Sequence, residues 1–280
     1  SAYLDDTSLV GANLRDAILR GADLRYANLR SAGLQKADLE GANLEGAQLI
    51  KAKAQSGTLR MAILYKAILD QADFREAILS RAVLIGARGT GAIFSKADLS
   101  EIYAPKSQFH HAQFNEAAME SANLVAADLR DSNFSHAMLM EANLQEANLQ
   151  GATFTGADLS GARLDAAILH RAILHGANLS LVSGLTQAQL DTACIDEQTK
   201  LPSDLNRPAP CVAGSAHGRR GREPCPTGRA ARQSSKALLA MPFVASHGRA
   251  AVRSGMTRAC PGTPSYATNG ITARRHRFRR

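Results

Sequence analysis

The sequence predicts an all-β solenoid of about nine four-sided coils, closed by a short helical cap and followed by a disordered tail. Three observations carry that reading. A five-residue period runs without insertion or deletion from Ala2 to Ser180. Phenylalanines recur inside it at a spacing of 20 residues. The period stops at Ser180 and gives way to helix-capping and then to strongly basic sequence.

The period comes first because an internal repeat governs every later assignment. Leu4, Leu9, Leu14 and their successors to Leu179 occupy 36 centre positions, of which 26 are Leu and six are Phe. The exceptions are Ala54, Gly89, Ala104 and Met119. Two residues before each centre stands Ala, except at Thr7, Gly57, Ile102, Ser107 and Ser132. A helix turning about 100° per residue would carry such centres round all its sides. A straight strand would flip each centre to the opposite face. The chain must therefore turn within every repeat. Ala and the centre, two apart, point inward from a short extended piece, and the two residues after the centre turn the chain. Gly is frequent at the second of these, as at Gly21, Gly41, Gly151 and Gly161, where turn dihedrals are needed.

The aromatic spacing sets the number of sides. Phe74, Phe94, Phe114, Phe134 and Phe154 lie 20 apart, with Phe109 alone off the series. Like residues stack one coil above another in solenoids. A step of 20 is four repeats, so 36 repeats make nine coils, roughly 43 Å tall at about 4.8 Å per strand spacing. At this point the Ala-(Asp/Asn)-Leu-x-x pattern, as in Gly11-Ala12-Asn13-Leu14-Arg15 and Gly156-Ala157-Asp158-Leu159-Ser160, resembles the pentapeptide-repeat family. The resemblance covers residues 2–180 and implies a right-handed quadrilateral β-helix. It leaves function open, since a fold does not fix an activity.

Charge divides the chain. Residues 1–180 hold 17 Lys+Arg and 20 Asp+Glu, a balance of −3, while residues 181–280 hold 16 and five, a balance of +11. The chain's overall +8 thus belongs to its far end and says nothing about the tower. No run reaches the roughly 18 apolar residues of a membrane helix, so no membrane span is expected. Cys194, Cys211, Cys225 and Cys260 all lie outside the repeats and match no zinc spacing. A cytoplasmic setting is the expectation.

Taken in order, the first coils carry Arg15, Arg20, Arg25 and Arg30 at consecutive corners, spread around the tower as solvated surface. Between Ile63 and Val125 the outer surface becomes apolar. Ile63, Val83 and Tyr103 replace the usual polar residue before the centre, and Tyr65, Ile85, Pro105 and Val125 follow the centres of the same side. An exposed apolar patch marks an interaction site. The candidate partner-contact stripe is therefore Ile63, Tyr65, Val83, Ile85, Tyr103 and Val125. The irregular Gly89, Ile102 and Ala104 nearby suggest a local distortion of the coil.

Chemistry-bearing sets are wanting. His110 and His111 lie one coil from Arg130 and Asp131, and His170 lies one coil from Gln150, so no two histidines stack and no metal site is expected. Asn or Asp precedes the centre in 14 repeats, a recurrence that suits hydrogen bonding to turns rather than a catalytic carboxylate. No Ser-His-Asp set and no Gly-rich phosphate loop occurs. The expectation is a protein without catalytic residues or cofactors.

After Ser180 the sequence Gly184-Leu185-Thr186-Gln187-Ala188-Gln189-Leu190 opens a helix with a capping box. Residues 181–211 read as a C-terminal cap, resembling the cap of bacterial family members, where this end mediates dimers in some relatives. A homodimer is accordingly one expected assembly. Residues 212–280 hold 14 Lys or Arg and the single acid Glu223, a composition that predicts disorder. Such a tail binds nucleic acid only non-specifically, through phosphates. The leading functional expectation is a scaffold whose rigid faces bind a protein partner of unknown identity. The resemblance implies a second: some family members mimic DNA and modulate type II topoisomerases such as DNA gyrase, a role that needs a strongly acidic face.

Overall fold

The computed structural model describes residues 2–208, and the basic stretch 212–280 lies outside them. Each repeat makes one isolated parallel bridge, at the residue between the inward Ala and the centre. From Tyr3↔Asp23 to Arg163↔Ser183 every bridge spans 20 residues. The centres therefore stack in four columns beginning at Leu4, Leu9, Leu14 and Leu19. The architecture is a β-solenoid, and only one helix, α1 (Gln187–Leu190), occurs among the described residues.

The repeat centred on Leu24 shows how the backbone is satisfied. The Leu24 amide donates to Asn43 O one coil on (2.7 Å), and the Tyr26 amide to Glu45 O (2.8 Å). The Asp23 amide donates to Ala2 O one coil back (2.9 Å), and the Ala27 amide closes the turn on Leu24 O (3.1 Å). Four of five amides are thus bonded to backbone. The fifth, on the residue after the centre, is left over, and the Arg25 amide donates instead to Asp23 Oδ1 (3.3 Å). All 14 repeats with Asn or Asp before the centre make this side-chain bond. Asn and Asp recur because they complete the ladder where the backbone cannot. Pro105 fits for the same reason: it stands where no backbone acceptor waits for an amide, and its fixed φ suits the second position of a turn.

The turns carry a cost. At the second residue after every centre, from Asp6 to Leu181, φ is positive, and 26 of these 36 residues are not glycine. The left-handed region costs a non-glycine residue about 1–2 kcal/mol. The core offsets it. Ala and centre positions are buried almost completely from Ala22 to Leu179 and form one cluster. Phe74, Phe94, Phe114, Phe134 and Phe154 pile in a single file, neighbouring rings 4.8–5.2 Å apart and within 6° of parallel. The two serines at Ala positions are buried but satisfied, Ser107 Oγ donating to Ala104 O (2.8 Å) and Ser132 Oγ to Phe109 O (2.7 Å).

The distortion expected at Gly89, Ile102 and Ala104 is absent. The bridges Val83↔Tyr103↔Asn123 and Arg88↔Gln108↔Asp128 keep the 20-residue step. The irregular residues compensate one another in volume instead. A Cβ on Gly89 would lie 2.7 Å from the Phe109 ring, so the ring one coil on fills the space of the missing leucine. Ile102, large at an Ala position, is buried beside Ala104, small at a centre.

At the C-terminal end the ladder outlasts the sequence period. Ile173↔Cys194 and Asn178↔Lys200 continue two columns with lengthened steps, while α1 takes the place of a bridge on the side before them, after Ser183. Thr186 caps α1 with a reciprocal capping box. Gln189 Nε2 donates to Leu164 O (3.0 Å) and Ala167 O (2.9 Å), and Thr199 Oγ1 to Leu174 O (2.8 Å), so carbonyls of the last coil find partners. Leu190 and Ile195 are buried in the same core. Burial raises the Asp196 carboxyl, but hydrogen bonds from the Gly176 amide and Thr199 outweigh it and hold the group below the usual carboxylate range. Cys194 is disulfide-bonded.

Candidate interaction surface

The residues that point outward on this solenoid have their own backbones tied along its axis, so the surface presents side chains in rows. On the column of Leu4 the row before the centres reads Ile63, Val83, Tyr103, joined directly by the bridges Ile63↔Val83 and Val83↔Tyr103. Below it lies Asn43 and above it Asn123. The row after the centres reads Tyr65, Ile85, Pro105, Val125, joined through the Lys66 amide on Ile85 O, the Gly86 amide on Pro105 O and the Lys106 amide on Val125 O. All six stripe residues expected from sequence are therefore neighbours on one side. Ile63 is 40% exposed and Tyr103 46%, while Val83, Tyr65, Ile85 and Val125 are half-buried among them.

One further apolar residue was not picked from sequence. Met61, at the turn just before Ile63, is 56% exposed and widens the lower end of the stripe. The signal for it in the sequence is a methionine two residues after the centre Leu59, a place usually held by Gly or a polar residue, and its φ there is 56°. The other edge of the stripe is basic. Lys66 and Lys106 stand two coils apart at the following turn, with Gly86 between. The Lys66 ammonium lies 4.9 Å from the Tyr65 ring centroid, and its stem lies 3.7 Å from where a Cβ on Gly86 would be. Contact with Tyr65 raises the Lys66 pKa above its ordinary value. The stripe's opposite edge is neutralised by an ion pair of Arg81 Nε with Glu101 (3.0 Å).

Elsewhere several outward charges are paired. Arg25 and Arg130 clamp Asp23 and Asp128, the residues before their own centres, at 2.6 Å, and these bonds hold both carboxyls below their usual pKa. At Asp73 burial pushes the carboxyl up, but hydrogen bonds from Arg75 and Gln55 together outweigh it and hold the group below its usual pKa. Arg20 reaches Asp38 (3.1 Å) and Glu40 (2.6 Å) one coil on. His110 Nε2 lies 3.2 Å from Thr90 Oγ1 and its Nδ1 lies 3.9 Å from Asp128. No group of three or more His, Cys, Asp or Glu among the described residues has the geometry to hold a metal ion. No described helix is long and apolar enough to cross a membrane.

A family model described as pentapeptide repeats matches residues 1–34, 27–64, 67–102, 107–145 and 142–180. The chain belongs to this family. The crystal structure of HetL, a pentapeptide-repeat protein involved in heterocyst differentiation regulation from the cyanobacterium Nostoc sp. strain PCC 7120, is similar. It is 31% identical over 75% of this chain and 89% of HetL, with a TM-score of 0.57. Rfr23 from the cyanobacterium Cyanothece 51142 is 32% identical over 35% of this chain and 63% of its own, with a TM-score of 0.29. QnrB1, a plasmid-mediated fluoroquinolone resistance protein, is 20% identical over 72% of this chain and 93% of its own, with a TM-score of 0.32. No curated protein matches.

Proposed function

We propose that residues 1–180 form a right-handed quadrilateral β-helix of about nine coils, closed by a cap over residues 181–211, and that this tower is a non-enzymatic scaffold for a protein partner. One observation carries the functional part: among the described residues the stripe from Ile63 to Val125, four coils tall, is a long apolar row on an otherwise largely polar side. Burying it against a partner would recover roughly 25 cal/mol per Å² of apolar surface, and a stacked, hydrogen-bonded wall loses little entropy on binding. The family, generally a scaffold fold, supports the reading.

The test is affinity capture with the full chain against the variant Ile63→Ser/Val83→Ser/Tyr103→Ser. Partners should be lost from the variant while its circular dichroism is unchanged, and undiminished capture would overturn the proposal. The cytoplasmic setting that the sequence suggests is tested by fractionation of the producing cell.

A second reading, modulation of a type II topoisomerase by DNA mimicry, draws on a different side. On the column of Leu19 the outward residues from Asp98 to Asp158 include Asp98, Glu101, Glu120, Glu141 and Asp158 and no base. The run is four coils long and Arg81 already neutralises Glu101, which is why it stands second. A gyrase supercoiling assay unaffected at micromolar protein would end it.

A further inference from the structure

The stripe's surroundings restrict what can lie on it, an argument that rests on the scaffold reading above. Its backbone offers no ladder. The amides and carbonyls of the column of Leu4 are spent along the axis, between coils, so an incoming strand would find no row of partners and could not be added edge-on. The residues after the centres, Tyr65 and Ile85, lack the Asn or Asp that elsewhere caps their amides, but two isolated donors do not make a strand edge. A segment that satisfies its own backbone fits instead, and in water that segment is an α-helix. From Ile63 to the level of Val125 the rows climb three coil spacings, about 14 Å at 4.8 Å each. That is about ten residues of helix at 1.5 Å per residue.

Charge selects its flank. Lys66 and Lys106 line one edge of the stripe and are two coil spacings apart, about 10 Å. Residues seven apart on a helix are separated by about 10.5 Å and lie on nearly the same side. The other edge presents Met61 and the Arg81–Glu101 pair, with no free positive charge. Lys66 is anchored over the Tyr65 ring, so one cation holds a defined place beside the apolar row.

We infer that the stripe receives an amphipathic helix of about three turns, lying along the tower axis, with aliphatic or aromatic residues on Ile63, Val83, Ile85 and Tyr103 and carboxylates at two positions seven apart facing Lys66 and Lys106. The face reads the helix by its apolar spacing and sets its orientation by the acidic flank.

The experiment uses a display library of 16-residue helix-biased peptides, selected on the full chain and counter-selected on the Ile63→Ser/Val83→Ser/Tyr103→Ser variant. Stripe-dependent peptides should show apolar residues at helical spacing with Asp or Glu along one flank. Their affinity, measured by fluorescence anisotropy, should fall at least about tenfold on Lys66→Glu/Lys106→Glu, since two attractive rim contacts become repulsive. A peptide series with Lys in place of the acids should prefer that charge-reversed variant. Stripe-dependent peptides that are extended, proline-rich or indifferent to the reversal overturn the helix and leave the scaffold reading standing. Recovery of no stripe-dependent peptide overturns it too. Binders unaffected by the triple serine variant overturn the scaffold reading itself. Sedimentation that shows a dimer of the parent chain dissolved by the triple variant assigns the stripe to a second copy and also overturns the helix.

Discussion

Within a single repeat, each of five positions has its own physical task, and neighbouring substitutions should differ sharply. Leu144 is fully buried, whereas Gln145 faces outward and donates from Nε2 to Asp165 (3.0 Å). Leu144→Arg should cost more than about 4 kcal/mol by burying an unpaired charge. Gln145→Arg should stay within about 0.5 kcal/mol, because a guanidinium there still reaches Asp165. Urea unfolding of the pair checks this, and equal costs would refute the inward assignment. The fifth amide supplies a second expectation. Arg25 and Glu45 have Asp23 and Asn43 as side-chain acceptors, but Tyr65 and Ile85, on the same column, have Ile63 and Val83 in those places. Native-state amide exchange should therefore be faster at Tyr65 and Ile85 than at Arg25 and Glu45, with the other four amides of each repeat slower still. Uniform protection across the five positions would contradict the ladder described above. The Asn/Asp preference was legible in the sequence as hydrogen bonding. Which amide needed it was not, since that follows from the ladder leaving one donor over.

At the level of a column, residues that look irregular one at a time become regular as pairs. Gly89 and Phe109 are 20 apart, and the Phe109 ring stands edge-on to Phe94 (5.6 Å, 82°) and Phe114 (5.9 Å, 84°), held in the space that a side chain on residue 89 would take. Gly89→Leu should overpack by about 1–3 kcal/mol. Phe109→Leu should leave a void and cost a similar amount. The double variant should cost less than the sum by at least about 1 kcal/mol, because leucine on leucine is what that column holds elsewhere. Denaturant unfolding of the four proteins measures the coupling, and strict additivity would show that the two do not share one space. This is also where sequence reading fell short. Gly89, Ile102 and Ala104 suggest a bent coil when compared with a consensus, but Ile102 fills beside Ala104 within one repeat and Phe109 fills over Gly89 across two. The cap was half legible. Thr186 and Gln189 announce a capping box, while the bonds from Gln189 and Thr199 go to backbone carbonyls, which leave no trace in residue identity.

Across the whole tower, each coil touches only the coil before and the coil after, so stability is close to a sum of neighbour terms. The number and phase of repeats could be read from the sequence because one register error would turn every leucine outward. What the faces bind could not, since an outward side chain is free to vary without disturbing the core. The same modularity makes the 20-residue step testable by deletion. Removing residues 126–145 joins Val125 to Glu146 in phase, takes out one full coil and brings Phe154 directly onto Phe114 in the file. Removing residues 136–145 is also in phase with the five-residue period, yet it rotates everything after it by two sides. Phe154 then leaves the file of Phe114 and Phe134 and meets the column of Leu124 instead. If columns matter, the full-coil deletion should fold with an unfolding m-value smaller in proportion to the surface of the one coil lost. The half-coil deletion, although it removes fewer residues, should be the less stable of the two, with a lower urea midpoint, because stacked rings are replaced by a ring forced against leucine and a leucine-sized gap. A half-coil deletion at least as stable as the full-coil one would mean that the tower counts in fives only, and that the alignment of the phenylalanines contributes nothing to its stability.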